Sequence, residues 1–177
     1  KDPDKHPLET PSGKIEIFSE AMFKRRQPED VPPVPKYIQE WESPFGPEAE
    51  RYPLQVIGTH FMPRVHSTFA NVDWNSEAFP QRVFINPVDA QERGLKDGQE
   101  VRVFNDRGSL ILPCRITPRI LPGVLNIPQG AWWKPDEAGN DIGGSVNTLT
   151  SERWTPFAFG NAQHTIMAEV SATEPDA

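Results

Sequence analysis

Proline sets the outer limit on what this chain can become. Twenty prolines and twelve glycines make 32 of 177 residues, about 18%, too many for a helical bundle and too few for a low-complexity chain. They are unevenly spread. Residues 28–53 hold seven prolines (Pro28, Pro32, Pro33, Pro35, Pro44, Pro47 and Pro53) among charged side chains. That density removes helix and ladder donors, so the stretch predicts an extended strap that Tyr37, Trp41 and Phe45 pin to another surface. Upstream, Lys14–Phe18 alternates Ile15 and Ile17 with Lys14 and Glu16 after a Pro-Ser-Gly turn. The alternation predicts one short strand that pairs with strands further along the chain.

From residue 54 the pattern becomes regular. Leu54–Gly58 and Arg82–Asn86 read as short strands, and the second runs into a helix start. Asn86 can cap it, Pro87 suits its first position, Asp89 falls in its first turn and Gly94 closes it. After a Lys96-Asp97-Gly98 turn, Glu100–Asn105 places Val101 and Val103 inward. Asp106-Arg107-Gly108 turns the chain into a strand with Leu110, Leu112, Cys114 and Ile116 on one face. Pro122-Gly123 reads as a type II turn before Val124–Ile127, and Thr165–Val170 is the last strand. Six or seven short strands with one or two brief helices predict a closed β-barrel, since closure removes edges. A chain of 177 residues has room for one such domain and an extension.

Charge and cysteine content exclude several functions. Eighteen Lys and Arg against 25 Asp and Glu give −7, with no basic cluster beyond Lys24-Arg25-Arg26, so nucleic acid is not an expected partner. Cys114 stands alone, which leaves no internal disulfide and no cysteine framework for iron–sulfur or zinc. No run of 18 apolar residues is present. Lys1–Thr10 is polar, with no initiator Met and no signal-peptide pattern, and we expect a piece of something longer.

Chemistry-bearing residues concentrate in two long stretches without strand pattern. Residues 59–81 contain Thr59, His60, Arg64, His66, Ser67, Asn71, Asp73, Trp74 and Asn75. Residues 129–163 contain Trp132, Trp133, Asn140, Asn147, Thr148, Thr150 and Gln163, with His164 beyond. Such loops either face a ligand or fold over the barrel ends, and composition alone leaves both open. The histidines lack ligand spacing, so surface or ligand-contact roles outweigh a metal site. His66-Ser67 has no triad around it, Asp73 has no visible acid–base partner, and Gly143-Gly144-Ser145 lacks the lysine of a phosphate loop. No catalytic residue is assigned.

Four strings carry a family resemblance: RVHSTFANVDW (64–74), FINPVDAQERGLKDGQEVRVFNDRG (84–108), TPRILPGVLNIPQGAWW (117–133) and GGSVNTLTSE (143–152). Together they resemble the molybdopterin-dinucleotide-binding domain at the C-terminus of catalytic subunits in the dimethyl sulfoxide reductase family, the anaerobic dimethyl sulfoxide reductases most of all. The likeness spans about 52–171, and TPSGKIEIFSE (10–20) resembles the strand before that domain. It implies a mainly β fold with short helices: a six-stranded double-psi-type barrel over residues 52–171. Residues 1–51 would be the end of a preceding domain plus the strap, and 172–177 a tail. It also implies a bis(molybdopterin guanine dinucleotide) cofactor with molybdenum in the intact enzyme, for oxygen-atom and two-electron transfer to S-oxides or N-oxides. The iron–sulfur cysteines, the molybdenum ligand and the substrate funnel would lie in N-terminal domains. The piece alone would therefore be neither catalytic nor cofactor-loaded, and would hold no metal.

By position, the resemblance carries cofactor contact onto Thr59, His60, Arg64, His66, Ser67 and Asn71, then Asn147, Thr150 and Gln163, with Arg64 meeting phosphate or pterin oxygens. Arg64 and Asn147 should then reach into shared solvent at one end of the barrel. Asn86, Pro87, Asp89 and Gly108 are explained by capping and turn geometry. Implied partners are the N-terminal domains of the same subunit, an iron–sulfur electron-transfer subunit and a membrane anchor subunit, in a periplasmic or membrane-associated complex. The alternative from another class is a stand-alone β-barrel interaction module, which would have no affinity for pterin dinucleotides.

Overall fold

Short alternating segments become strands where each finds two neighbours, and six do so here. The computed structural model describes residues 2, 4–25 and 29–173. β1 (Leu54–Ile57), β2 (Val83–Ile85), β3 (Glu100–Phe104), β4 (Ser109–Ile116), β5 (Val124–Asn126) and β6 (Ile166–Ala172) close into a barrel in the order β1-β5-β2-β4-β3-β6. This is the expected mainly β fold. Inward positions are the apolar ones: Val56, Val83, Ile85, Val101, Val103, Leu110 and Leu125 are wholly buried, and every residue of the buried cluster lies between Leu54 and Val170.

Strand directions determine where the connections gather. β1 is parallel to β5 and β2 to β4, and every other neighbour is antiparallel. So β1, β3 and β5 run one way and β2, β4 and β6 the other. The β1–β2, β3–β4 and β5–β6 connections must then all emerge at one end of the barrel. The other end is closed by α3 (Pro87–Glu92). There Asn86 Oδ1 accepts from Val88 N at 2.9 Å and its Nδ2 donates to Ile120 O at 2.6 Å. Asp89 Oδ2 accepts from Gly123 N at 2.9 Å, and Arg93 Nε donates to Glu169 Oε1 of β6 at 2.6 Å. Burial and hydrogen bonding explain the helix-cap residues without a ligand.

Three local expectations need correction. Lys14–Phe18 forms no strand: Ile15 is 84% and Ile17 74% exposed, and the segment is built of bends. Alternation supplies a face, but a strand also needs a neighbour to complete its hydrogen bonds, and no strand pairs with 14–18 among the described residues. A short helix, α1 (Glu20–Lys24), follows instead, capped by Ser19 Oγ accepting from Met22 N. The stretches read as loops contain α2 (Asp73–Ala78) and a 3₁₀ turn, Val146–Leu149.

The chain divides into two compact units, Lys1–Gln39 with Thr155–Phe159, and Glu40–Trp154 with Gly160–Ala177. In the first, Ser19 N donates to Pro33 O at 2.7 Å, and the Arg25 guanidinium lies over the Phe157 ring at 4.8 Å. The second contains the barrel and the end of the strap. There Glu42 Oε2 accepts from Arg107 Nη2 at 2.8 Å and from Met167 N at 3.1 Å, and Arg51 pairs with Asp106 at 2.8 Å. Pro28, in the expected strap, and 174–177, in the expected tail, lie outside the described residues; Ala172 ends β6.

Candidate functional site

At the end where the odd-to-even connections gather, the β1–β2 and β5–β6 connections pack backbone against backbone. Parallel pairing of β1 with β5 continues past both strands, as Ile127 N donates to Ile57 O at 3.0 Å and Gln129 N to Thr59 O at 2.9 Å. Gly130, at φ 92°, then passes so close to His66 that a Cβ would overlap the His66 carbonyl. Trp132 Nε1 donates to Ser67 O at 2.9 Å. His66 and Phe69 take left-handed φ values of 51° and 72°, conformations that non-glycine residues hold only when their surroundings impose them.

The packed connections leave a cleft of about 180 Å³. It is lined by His66 and Ser67 from the β1–β2 connection and by Gln129, Gly130, Ala131, Ser145, Val146, Asn147 and Gln163 from the β5–β6 connection. Four expected site residues therefore meet: His66, Ser67, Asn147 and Gln163. Gln163 Nε2 approaches Asn147 Oδ1 at 3.4 Å, and the His60 ring meets His66 edge-on at 5.1 Å. Thr59 and Thr150 do not line the cleft. Thr59 Oγ1 contacts Asn126 Oδ1 at 2.9 Å, and Thr150 Oγ1 donates to Asn147 O at 2.9 Å. Asn71 is exposed ahead of α2 and does not line the cleft. His164 Nδ1 accepts from Gly58 N at 3.3 Å.

Arg64 departs from expectation. Its side chain does not share open solvent with Asn147 but is half-buried, with Nη2 donating to Gln81 Oε1 at 2.6 Å and to Gln129 O at 3.3 Å. The guanidinium sits 4.6 Å over the Phe61 ring, desolvation pulls its pKa down, and its Nε is buried without an acceptor. Arg64 thus ties Gln81 to the Gln129 backbone of the β5–β6 connection.

Sequence reasoning missed the polar residues that shape this wall. Gln81 Nε2 donates to Pro128 O at 2.7 Å and to Gly144 O at 3.1 Å, tying the two connections together under Arg64. Gln129 both lines the cleft and supplies a backbone acceptor to Arg64. Asp141, wholly buried, accepts from the loop that carries Asn147. Only Asp141 gave a local signal, an Asx residue ahead of two glycines.

The family model for the Molydopterin dinucleotide binding domain matches residues 54–167. This chain belongs to that family. The dinucleotide-binding domain is 44% identical over 174 residues to dimethyl sulfoxide reductase DmsA of Haemophilus influenzae, covering 95% of this chain and 22% of that protein. It is 46% identical to the putative dimethyl sulfoxide reductase chain YnfE of Escherichia coli, covering 96% and 22%. To the dimethyl sulfoxide/trimethylamine N-oxide reductase of Cereibacter sphaeroides it is 36% identical, covering 96% and 21%. The chain thus spans about a fifth of the length of the curated relatives it matches. Acetylene hydratase from Pelobacter acetylenicus shares the fold, with a TM-score of 0.77 at 22% identity over 94% of this chain and 24% of that one.

The cleft suits part of such a cofactor. Ser67, Gln129, Ser145, Asn147 and Gln163 present neutral donors and acceptors, and among the described residues no carboxylate lines the space. Amide side chains match the alternating donors and acceptors of a pterin edge. At about 180 Å³ the cleft is below the roughly 300–1,000 Å³ that encloses a drug-sized ligand, too small by itself for a whole dinucleotide.

Proposed function

We propose that this domain is the cofactor-holding C-terminal part of a molybdenum oxidoreductase catalytic subunit, and that its cleft is one wall of a bis(molybdopterin guanine dinucleotide) site. The observation that carries this reading is the meeting of His66-Ser67 with Ser145–Asn147 and Gln163 around a cleft without acidic lining. Ser67, Asn147 and Gln163 would hydrogen-bond the pterin edge, His66 and His60 would flank it, and Thr59, Arg64 and Thr150 would keep the wall in shape. Asn71 has the weakest support, being exposed away from the cleft. When bound, the molybdenum cofactor supplies oxygen-atom transfer coupled to two electrons, with S-oxides or N-oxides as the substrate class. The relatives named dimethyl sulfoxide and trimethylamine N-oxide reductases support that class.

On this reading residues 1–51 end a preceding domain and lead in as a strap, 52–171 form the binding domain and 172–177 a tail. The N-terminal domains of the same subunit complete the site. An iron–sulfur electron-transfer subunit and a membrane anchor subunit are the wider partners, in a periplasmic or membrane-associated complex. The test is made in the whole catalytic subunit. Ser67→Ala combined with Asn147→Ala should lower the pterin and molybdenum that survive gel filtration, with the melting temperature held. Undiminished cofactor in that variant, or a wild-type subunit without pterin dinucleotide, would overturn the reading.

A further inference from the structure

We propose that Asp141 is the positioning residue that fixes the cofactor-facing loop to the barrel, a role that rests on the cofactor reading above. Its backbone and its side chain face two different parts of the fold. β2 pairs with β4 only over Cys114–Ile116, leaving the start of β4 open on that side. Asp141 fills the gap: its N donates to Ser109 O at 2.9 Å and its O accepts from Ile111 N at 3.0 Å. The side chain, 0% exposed, turns the other way into the loop. Oδ1 accepts from Lys134 N at 2.9 Å, Gly143 N at 2.8 Å and Gly144 N at 3.3 Å. Oδ2 accepts from Ser145 N at 2.8 Å and Thr148 Oγ1 at 3.0 Å.

Five donors converge on one carboxylate, and none is a cationic side chain. Buried acceptors satisfied this fully make rigid nodes, and the residues tied here include or flank Ser145, Val146 and Asn147 of the cleft. The path is tight as well, since a Cβ on Gly143 would overlap the Trp132 carbonyl. Asp141 does not itself line the cleft; it acts through Ser145, whose N it accepts from directly, and through Asn147 beyond it.

Asp141→Asn keeps the size of the side chain but turns an NH₂ toward backbone N–H groups whichever way the amide faces. In the cofactor-free chain, amide hydrogen exchange of 143–148 should quicken while β3 and β6 keep their protection. In the whole subunit, pterin retained after gel filtration should fall roughly ten-fold, the low end for losing an orienting partner. In an Asn147→Ala background the same substitution should cost less than it does alone, because part of its effect passes through Asn147. Losses that multiply would mark Asp141 as merely structural and overturn the proposal. So would full retention, or unchanged exchange at 143–148. A wild-type subunit without pterin dinucleotide sinks the functional reading separately, and the exchange pattern then decides for Asp141 alone. If Asp141→Asn does not fold, Thr148→Val removes only the Oδ2 hydroxyl contact and should reproduce the pattern more weakly.

Discussion

A guanidinium in a donor-rich loop is the natural candidate for an anion contact, and the neighbours of Arg64 already occupy one end of it. Gln81 and the Gln129 carbonyl take Nη2 before any ligand can. Gln81 closes the same stretch 17 residues on and Gln129 stands 65 residues away, so no short-range motif announced these bonds. Arg64→Met, which keeps an unbranched stem but removes the guanidinium from over Phe61, should destabilise the chain by about 1–2 kcal/mol by leaving Gln81 Oε1 unpaired. Urea unfolding would measure it, and an unchanged midpoint would return Arg64 to the cleft. On the surface, Asp106 Oδ1 accepts from the Tyr52 hydroxyl at 2.7 Å and from Arg51 Nη2 at 2.8 Å. The Tyr52 hydroxyl first, then Arg51, holds the Asp106 carboxyl below its ordinary 3.8, and Asp106 pushes Tyr52 above its ordinary 10.0. A depressed carboxyl contributes stability above 3.8 that is lost as pH falls through its folded value; a raised phenol contributes below 10.0 and loses it as pH rises. Asp106→Asn should therefore lower the unfolding midpoint at neutral pH and converge on wild type in acid. Full exposure keeps the effect small and weakened by salt. A difference that widens in acid would reverse the assignment.

Among elements, those legible in the sequence carry their own instructions. Asn86-Pro87 starts α3 through a cap two residues away, and the alternation of Leu110, Leu112 and Cys114 lands inward because β4 has barrel neighbours. Lys14–Phe18 has the same alternation and no such neighbour, so the pattern goes unused. α2 escaped notice because Trp74, its one large apolar residue, is 72% exposed and lends no periodicity. The cap gives a graded test. Asn86→Ala removes the acceptor for Val88 N and the donor to Ile120 O together, and should cost about 1–3 kcal/mol. Asn86→Asp restores the cap but faces the Ile120 carbonyl, so it should fall between Ala and wild type in denaturant midpoint. Equal loss in both variants would put the whole effect on the Ile120 contact.

For the whole molecule, strand segments were readable, whereas their order around the barrel was not. The sequence β1-β5-β2-β4-β3-β6 depends on which edges meet, information spread across more than a hundred residues. The same closure brings His66 and Ser67 together with residues 145–147, and it separates what stabilises the barrel from what does not. All of the buried cluster lies from Leu54 onward, but the barrel also uses residues before that. Glu42 satisfies Met167 N and Arg107, and Arg107 Nε in turn donates to Leu149 O at 2.8 Å, the end of the 3₁₀ turn beside the cleft. Removing residues 1–39 should thus leave the barrel's thermal transition nearly in place. Removing 1–52 also deletes Glu42 and Arg51, strands a β6 amide and a half-buried guanidinium, and should cost about 1–3 kcal/mol. At roughly 2–4 °C per kcal/mol for a chain of this size, calorimetry would separate the two truncations. Coincident transitions would mean that the strap contributes nothing to the barrel, and a lost transition on removing 1–39 alone would mean that the core described here is incomplete.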